Sequence, residues 1–198
     1  MDMTQFCCPR IRKLPRLQLP CDLRARALTF ALGPGINNRF TMRGGIRATE
    51  LLIGKLGEIA AYLWFGQRVP DQIFSNKPDG GWDIEVAGFL IDVKGSHAEH
   101  LNLIWPASKV DDYRGRRFDL LMSVSIFGKA RDLACIDGVI SKAMFEQRKS
   151  IATGDCNTRP RLDRGTWYLD KDSLQRLAEN RLHQHRIDDL KRKCESRS

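Results

Sequence analysis

The stretch DGGWDIEVAGFLIDVKGS, residues 79–96, constrains the fold of this chain more than any other part of the sequence. Apolar and acidic residues alternate on both sides of Ala87-Gly88, as in two strands that each bury one face. If Ala87-Gly88 is a hairpin turn, Asp83 lies opposite Asp92. One face of this predicted hairpin then carries Trp82, Ile84, Val86, Phe89, Ile91 and Val93, and the other carries Asp83, Glu85, Leu90, Asp92 and Lys94.

Two opposed aspartates destabilise a strand pair, because directly opposed side chains have Cβ atoms about 4.5–5.5 Å apart and like charges there repel. A divalent cation between Asp83 and Asp92 would reverse the sign of that interaction. Mg²⁺ is commonly held by one or two carboxylates, by water and by a substrate phosphate. Lys94 follows Asp92 by two residues, so its ammonium group points to the same side. The hairpin therefore predicts a metal site for phosphate chemistry.

The rest of the chain divides around this hairpin. Residues 1–45 predict an irregular basic arm rich in Pro and Gly, residues 46–170 a folded core, and residues 171–198 a basic C-terminal helix or tail. The order of helices and strands favours an α/β domain with a mixed sheet. The predicted elements are a helix over 47–65, strands over 82–86, 89–95 and 101–105, a helix near 107–114, strands over 118–127 and 132–136, a helix near 140–148, a loop over 149–165, a strand over 166–169, and a helix from Asp172 or Ser173 to about 193.

Two glycines interrupt the helix predicted over residues 47–65. Glycine costs about 1 kcal/mol in a helix interior, so Gly54 and Gly57 predict a close approach of this helix to another backbone. Glu58 follows directly and adds a carboxylate to a helix that precedes the hairpin.

The runs GKLGEIAAYLWFG, GGWDIEV and FLIDVKGS, in this order, resemble the PD-(D/E)XK nuclease superfamily of restriction-endonuclease-like proteins. The resemblance covers about residues 47–145. It implies an αβββαβ core with a mixed central sheet flanked by helices. It also implies hydrolysis of phosphodiester bonds with Mg²⁺, or with Mn²⁺ in its place.

The resemblance also implies a role for each residue of the site. Asp83 would be the first metal carboxylate and Asp92 the second, and Glu58 would be an accessory acid that holds metal through water. Lys94 would position the attacking water and stabilise charge.

Two positions depart from the family pattern. Trp82 stands where the name-giving proline would be, and the second acid is Asp rather than the commoner Glu. Pro78-Asp79 offers a literal PD pair, so Asp79 remains an alternative first acid. Asp83 is favoured because it is the one that faces Asp92.

Charge is unevenly distributed along the chain. The net charge is +9, yet residues 51–100 hold seven acidic and four basic residues. A basic surface suits a polyanion, most simply double-stranded DNA, and an acidic segment within it suits a divalent cation. The residues predicted to contact phosphates are Ser96, Lys109, Tyr113, Arg114, Arg116 and Arg117. For His97 and His100 the candidate roles are a phosphate contact or an auxiliary base, and a loop position without a role is the simpler interpretation.

The sequence as a whole predicts a metal-dependent DNA endonuclease of restriction, homing, repair or recombination type. Cutting both strands of a duplex takes two sites, so a homodimer or larger homo-oligomer would suit this function. The alternative is a non-catalytic nucleic-acid-binding or assembly protein on the same fold.

Other functional classes find less support. No G-x-x-x-x-G-K-[ST] motif is present for ATP-driven chemistry. No apolar run approaches the roughly 18 residues of a membrane span, and the N-terminus lacks a signal-peptide pattern. These features predict an intracellular protein, cytoplasmic or nucleoid-associated. The six cysteines form no C-x-x-C pair and predict free thiols, with a cluster of the N-terminal cysteines and Cys156 or Cys194 as the alternative.

Overall fold

The computed structural model describes residues 16–33, 48–74, 80–97, 102–107, 110–153, 164–171, 173, 174 and 192. Its elements are β1 (Arg16–Gln18), α1 (Cys21–Leu32), α2 (Ala48–Trp64), a 3₁₀ turn (Asp71–Phe74), β2 (Ile84–Val86), β3 (Phe89–His97), β4 (Asn102–Trp105), α3 (Val110–Gly115), β5 (Leu120–Phe127), β6 (Leu133–Ser141), α4 (Lys142–Arg148), β7 (Ser150–Ile151) and β8 (Trp167–Asp170).

A five-stranded mixed sheet forms the centre of the fold, in the order β1-β6-β5-β3-β2. Strands β3 and β5 are parallel, and the other neighbours are antiparallel. Two apolar clusters lie beside β5: Met122, Val124 and Ile126 belong to the first cluster, and Leu121 belongs to the second. Because successive side chains of a strand point to opposite faces, the clusters cover the two faces of the sheet. The predicted α/β class with a mixed sheet is confirmed.

The third predicted strand of the αβββαβ core does not join this sheet. It is present as β4, but it pairs with β8, and β8 pairs with β7, in a separate three-stranded sheet. In a meander, β4 would pair with the edge of β3 that faces away from β2. Strand β5 pairs with that edge instead, in parallel. Alternation within a strand predicts its buried faces, not which sheet it enters.

The hairpin of β2 and β3 follows the predicted register, with Ile84 paired to Ile91 and Val86 to Phe89. Its turn is Ala87-Gly88, with φ of 51° and 85°. Positive φ at both central residues is the requirement of a type I′ turn, whose twist suits a two-residue hairpin. Trp82 was assigned to the wrong face. It precedes β2 and packs with Leu90 on the second cluster, while Ile84 and Ile91 lie in the first.

Helix α2 lies against β3 at a contact between backbones. A Cβ on Gly57 would lie 2.8 Å from the Cα of Gly95, and a Cβ on Gly95 would lie 2.4 Å from the carbonyl oxygen of Ile53. Neither position therefore has room for a side chain. The predicted close approach is confirmed, and its partner is the strand that carries Asp92 and Lys94.

The prediction of an irregular arm over residues 1–45 is wrong for residues 16–32, which form β1 and α1. Strand β1 pairs with β6 and so extends the central sheet by one strand. Helix α1 buries Ala27 and Ala31, spaced four apart, in the first cluster. Pro20 marks the boundary between the two elements and is not a sign of irregular chain.

Three boundaries in the C-terminal half also differ from prediction. Strand β6 continues past Gly138 to Ser141, and Leu174 occupies the space that a side chain at Gly138 would need. The predicted loop over residues 149–165 contains β7. The last helical residues begin at Lys171, and the carboxylate of Asp170 accepts hydrogen bonds from the backbone and hydroxyl of Ser173. Most of the predicted C-terminal helix lies outside the described residues.

Among the helices in the described part of the chain, none is long and apolar enough to cross a membrane.

The two glycines of α2 give opposite predictions for substitution by alanine. Gly57→Ala should destabilise the fold by about 1–3 kcal/mol, since overpacking forces backbones apart. Gly54 has nothing within 4 Å of an added Cβ, so Gly54→Ala should stabilise by up to about 1 kcal/mol through helix propensity. Denaturant unfolding of both variants measures the difference. Equal effects at the two positions would contradict the packing described here.

Candidate functional site

Asp83 interacts electrostatically with Glu58 on α2 and with Asp92 and Lys94 on β3. Burial, then Glu58, then Asp92 raise the pKa of Asp83 from its ordinary value of 3.8 to about 8, against opposing contributions from Lys94 and the Val93 amide. Asp83 lies just before β2, and its Oδ2 accepts a hydrogen bond from the backbone of Val93 at 2.6 Å. Three of the residues predicted to act in catalysis, Glu58, Asp92 and Lys94, therefore lie within electrostatic reach of the fourth, Asp83. These four residues are called the acidic cluster below.

Asp92 is the most deeply buried member, with no exposed surface. Its Oδ1 accepts a hydrogen bond from Nη1 of Arg116 at 2.9 Å. Its Oδ2 faces the ammonium group of Lys94 in an ion pair. A buried carboxylate is tolerated when it is paired, and here each oxygen has its own cation.

Trp105 and Tyr113 form an aromatic wall beside these two cations. The ring of Trp105 lies 4.3 Å from Nζ of Lys94 and 5.8 Å from the guanidinium carbon of Arg116. Trp105 in turn packs edge-to-face on Tyr113, with ring centroids 4.7 Å apart. Cations over the face of an indole are attracted by its quadrupole. The wall therefore limits where the cations beside Asp92 can move.

Glu58 completes the acidic side of the cluster from α2. Lys55 donates to both of its oxygens, at 2.9 and 2.8 Å. Tyr62, one turn further along the helix, donates a hydrogen bond to the carbonyl oxygen of Asp83. Burial, Glu58 and Asp83 raise the pKa of this tyrosine. Tyr62 was not predicted, although its spacing of four residues from Glu58 puts both side chains on one helix face.

The residues predicted to contact phosphates take different positions. Arg114 and Arg117 are exposed, while Arg116 turns inward to Asp92. Ser96 and His97 are half-buried at the end of β3. Tyr113 is fully buried in the aromatic wall and is not a surface contact. Lys109, His100 and the alternative acid Asp79 lie outside the described residues.

A second buried ion pair lies beside the cluster and was not predicted. Lys171 pairs with Asp137 at 2.9 Å and donates to the hydroxyls of Ser96 and Ser125 at 2.8 and 2.7 Å. Ser123 and Ser125 donate to the same carboxylate. Asp137 is the extra residue of a β-bulge, since Ser123 pairs with Gly138 and the next residue of β5 pairs with Ile136. A bulge redirects a side chain, and the sequence carries no pattern that announces it.

The ligand atoms of the acidic cluster suit a hard divalent cation, but the arrangement of its side chains suits one less well. Asp83, Asp92 and Glu58 offer carboxylate oxygens, and their mutual repulsion is what a cation relieves. Within the described ranges, however, no group of three His, Cys, Asp or Glu side chains is arranged to hold a metal ion. Glu58 is paired with Lys55, and Asp92 with two cations. A divalent cation would therefore compete with the protein's own cations.

Comparison of the chain with protein-family models, with curated proteins and with solved structures finds no match in any of the three. The resemblance to the PD-(D/E)XK superfamily consequently depends on the sequence runs alone and stays a prediction.

The raised pKa of Asp83 predicts that stability falls as pH rises. Between about pH 4 and pH 8 the folded chain holds a proton on Asp83 that the unfolded chain has lost, so the free energy of unfolding decreases by at most about 1.4 kcal/mol per pH unit. In Asp83→Asn this decrease disappears, and the variant should melt several degrees above wild type at pH 8.

Thermal unfolding at pH 5 and pH 8, with a chelator present, measures this difference. Glu85→Gln is the control, since Glu85 is an exposed carboxylate on β2. An Asp83→Asn variant that loses as much stability with pH as wild type would contradict the assignment.

The ion pair of Lys171 and Asp137 predicts a strongly coupled double-mutant cycle. Lys171→Met leaves a buried carboxylate without its cation and should destabilise by about 3–5 kcal/mol. Adding Asp137→Asn removes the buried charge, while an amide oxygen still accepts hydrogen bonds from Ser123 and Ser125. The double variant should therefore be more stable than Lys171→Met alone. Chemical denaturation gives all four free energies. If the double variant is as unstable as the sum of the single variants, the pair is not coupled.

Proposed function

We propose that this chain is a metal-dependent nuclease that hydrolyses phosphodiester bonds, with DNA as the favoured substrate. The observation that carries the proposal is the electrostatic cluster of Glu58, Asp83, Asp92 and Lys94, in which the pKa of Asp83 rises to about 8. A strongly perturbed ionisable group beside specific charged partners is typical of catalytic sites. Acids that face each other without a cation between them destabilise a strand pair.

The residues of the cluster take different parts in this proposal. When held by Asp83, Asp92 and Glu58, a divalent cation supplies Lewis acidity towards the phosphate and its nucleophile. Lys94 donates to a phosphate oxygen and stabilises the negative charge that grows on it. Trp105 keeps that ammonium group in place.

Exposed arginines extend the proposal to a polyanionic substrate. Arg114 and Arg117 belong to the same short segment as Arg116, which contacts Asp92. Guanidinium groups bind phosphates through paired hydrogen bonds. Contacts of this kind are independent of base sequence and position a duplex on the protein. Since both strands of a duplex must be cut, we propose a homodimer as the active form.

A second candidate function is nucleic-acid binding without cleavage. It is favoured by the pairing of Glu58 with Lys55 and of Asp92 with Lys94 and Arg116, which makes the cluster compatible with a purely structural role.

Cleavage of a supercoiled plasmid in Mg²⁺ distinguishes the two functions. We expect wild type to nick or linearise the plasmid, and Asp92→Asn and Lys94→Gln each to lose about a hundredfold or more of the rate, which is the size of effect seen when a charge-stabilising group is removed. Glu85→Gln, which changes an exposed carboxylate of the same hairpin, is the matched control.

Retained cleavage in both site variants would show that the chemistry lies elsewhere. Binding of DNA without cleavage by folded wild type, in Mg²⁺ and in Mn²⁺, would favour the second function. Melting curves for each variant separate lost chemistry from lost folding.

A further inference from the structure

Arg116 has an environment unlike that of the other arginines in its segment. Its guanidinium group donates to Oδ1 of the fully buried Asp92, and its side chain is 22% exposed. Arg114 and Arg117, on either side, are exposed. A guanidinium group in contact with both a buried acid and solvent has two classes of partner within reach, the carboxylate and an incoming anion.

The backbone of Arg116 is held on several sides. Its amide donates to the carbonyl oxygen of Tyr113, and its own carbonyl oxygen accepts from Lys142 at 2.7 Å. The turn before Asp83 lies against it, since a Cβ on Gly81 would be 3.6 Å from the Cα of Arg116. Gly81 has a φ of 93°, which a residue with a side chain rarely adopts. Any change of partner at Arg116 must therefore come from side-chain rotation alone.

The two cations on Asp92 are held in different ways, and both are partly exposed, Lys94 at 28% and Arg116 at 22%. Lys94 lies two residues from Asp92 on the same strand, and Trp105 holds its ammonium group at 4.3 Å. The guanidinium carbon of Arg116 is 5.8 Å from the same ring. Guanidinium is also the more weakly hydrated cation and matches phosphate with two parallel hydrogen bonds.

We propose that Arg116 is a gate on the candidate metal site, which closes Asp92 to divalent cations until a phosphate of the nucleic acid draws the guanidinium group away. This inference rests on the proposed function and deepens it, because it orders the binding of the two ligands. With Arg116 on Asp92, a divalent cation must displace a hydrogen-bonded guanidinium group. With Arg116 on a phosphate, Oδ1 of Asp92 becomes accessible to the cation.

Thermodynamic linkage makes the gate measurable. If phosphate binding removes Arg116 from Asp92, nucleic acid must raise the affinity for metal, and metal must raise the affinity for nucleic acid by the same factor. Couplings between ligands of one protein typically amount to about 5–150-fold. Without the gate the two ligands would bind with a much smaller coupling.

The experiment is titration calorimetry of Ca²⁺ into the full chain, with and without a short DNA duplex. Ca²⁺ binds through oxygen ligands as Mg²⁺ does, and the readout does not require cleavage. Arg116→Gln keeps a neutral donor beside Asp92 and removes the competing charge. We expect it to bind Ca²⁺ at least about fivefold tighter than wild type in the absence of DNA and to lose most of the effect of DNA.

Two further variants serve as controls. Arg116→Lys keeps a cation beside Asp92 and should resemble wild type in the absence of DNA. Lys129→Gln removes one positive charge in the turn after β5. Asp92 is aligned with Leu121 near the start of β5, so Lys129, which follows the end of this strand, lies roughly 20 Å away at about 3.3 Å per strand residue. Its Ca²⁺ affinity should stay at the wild-type value.

The outcomes separate the gate from the function on which it rests. If wild type cleaves DNA and Arg116→Gln binds Ca²⁺ no more tightly than wild type, the gate is wrong and the nuclease proposal stands. If neither protein binds Ca²⁺ and neither cleaves, both proposals are wrong. If Lys129→Gln also binds Ca²⁺ more tightly, the effect is one of net charge and the gate is again wrong.

Discussion

The contact between the backbones of α2 and β3 determines where the candidate site can form. At Gly57 and Gly95 neither element carries a side chain, so the helix lies directly on the strand. Glu58 follows the first glycine, and Lys94 precedes the second. Asp83 is held by the amide of Val93 in the same strand. A larger residue at either glycine would separate the carboxylate of α2 from those of the hairpin.

The charges gathered by this contact explain how a buried Asp92 is tolerated beside an Asp83 whose pKa is raised. Three carboxylates, of Glu58, Asp83 and Asp92, face three cations, of Lys55, Lys94 and Arg116. Pairing offsets the desolvation of Asp92, but burial and like charge still raise the pKa of Asp83. The fold therefore retains one acid in an unfavourable environment, as is common where function and stability conflict. An incoming divalent cation would exchange one set of ion pairs for another.

The sequence predicted the hairpin, its register and the glycine contact because each depends on local spacing. Period-two alternation placed Ile84 opposite Ile91, and the paired glycines indicated a close neighbour. The sequence did not predict that Arg116 pairs with Asp92 or that β4 leaves the central sheet. Both depend on how distant segments meet, and a basic run has the same spacing whether its arginines face solvent or a buried acid. The pairing of β1 with β6 was missed for the same reason.

The face of the central sheet that carries Leu121, opposite the face covered by α2, has more polar groups than a buried face usually does. Lys94 is aligned with Ser123, and Ser96 with Ser125, across β3 and β5. Lys171 and Asp137 close this row by hydrogen bonds to the serines. Oδ1 of Asp137 is buried without a hydrogen-bond partner among the described residues. Oδ2 of Asp137 therefore accepts the hydrogen bonds of both Ser123 and Ser125. Since buried polar groups are tolerated only when paired, these hydrogen bonds restrict β3 to one arrangement beside β5. Asp92 and Lys94 belong to that strand, so the network anchored by Lys171 positions the candidate site from the side opposite α2.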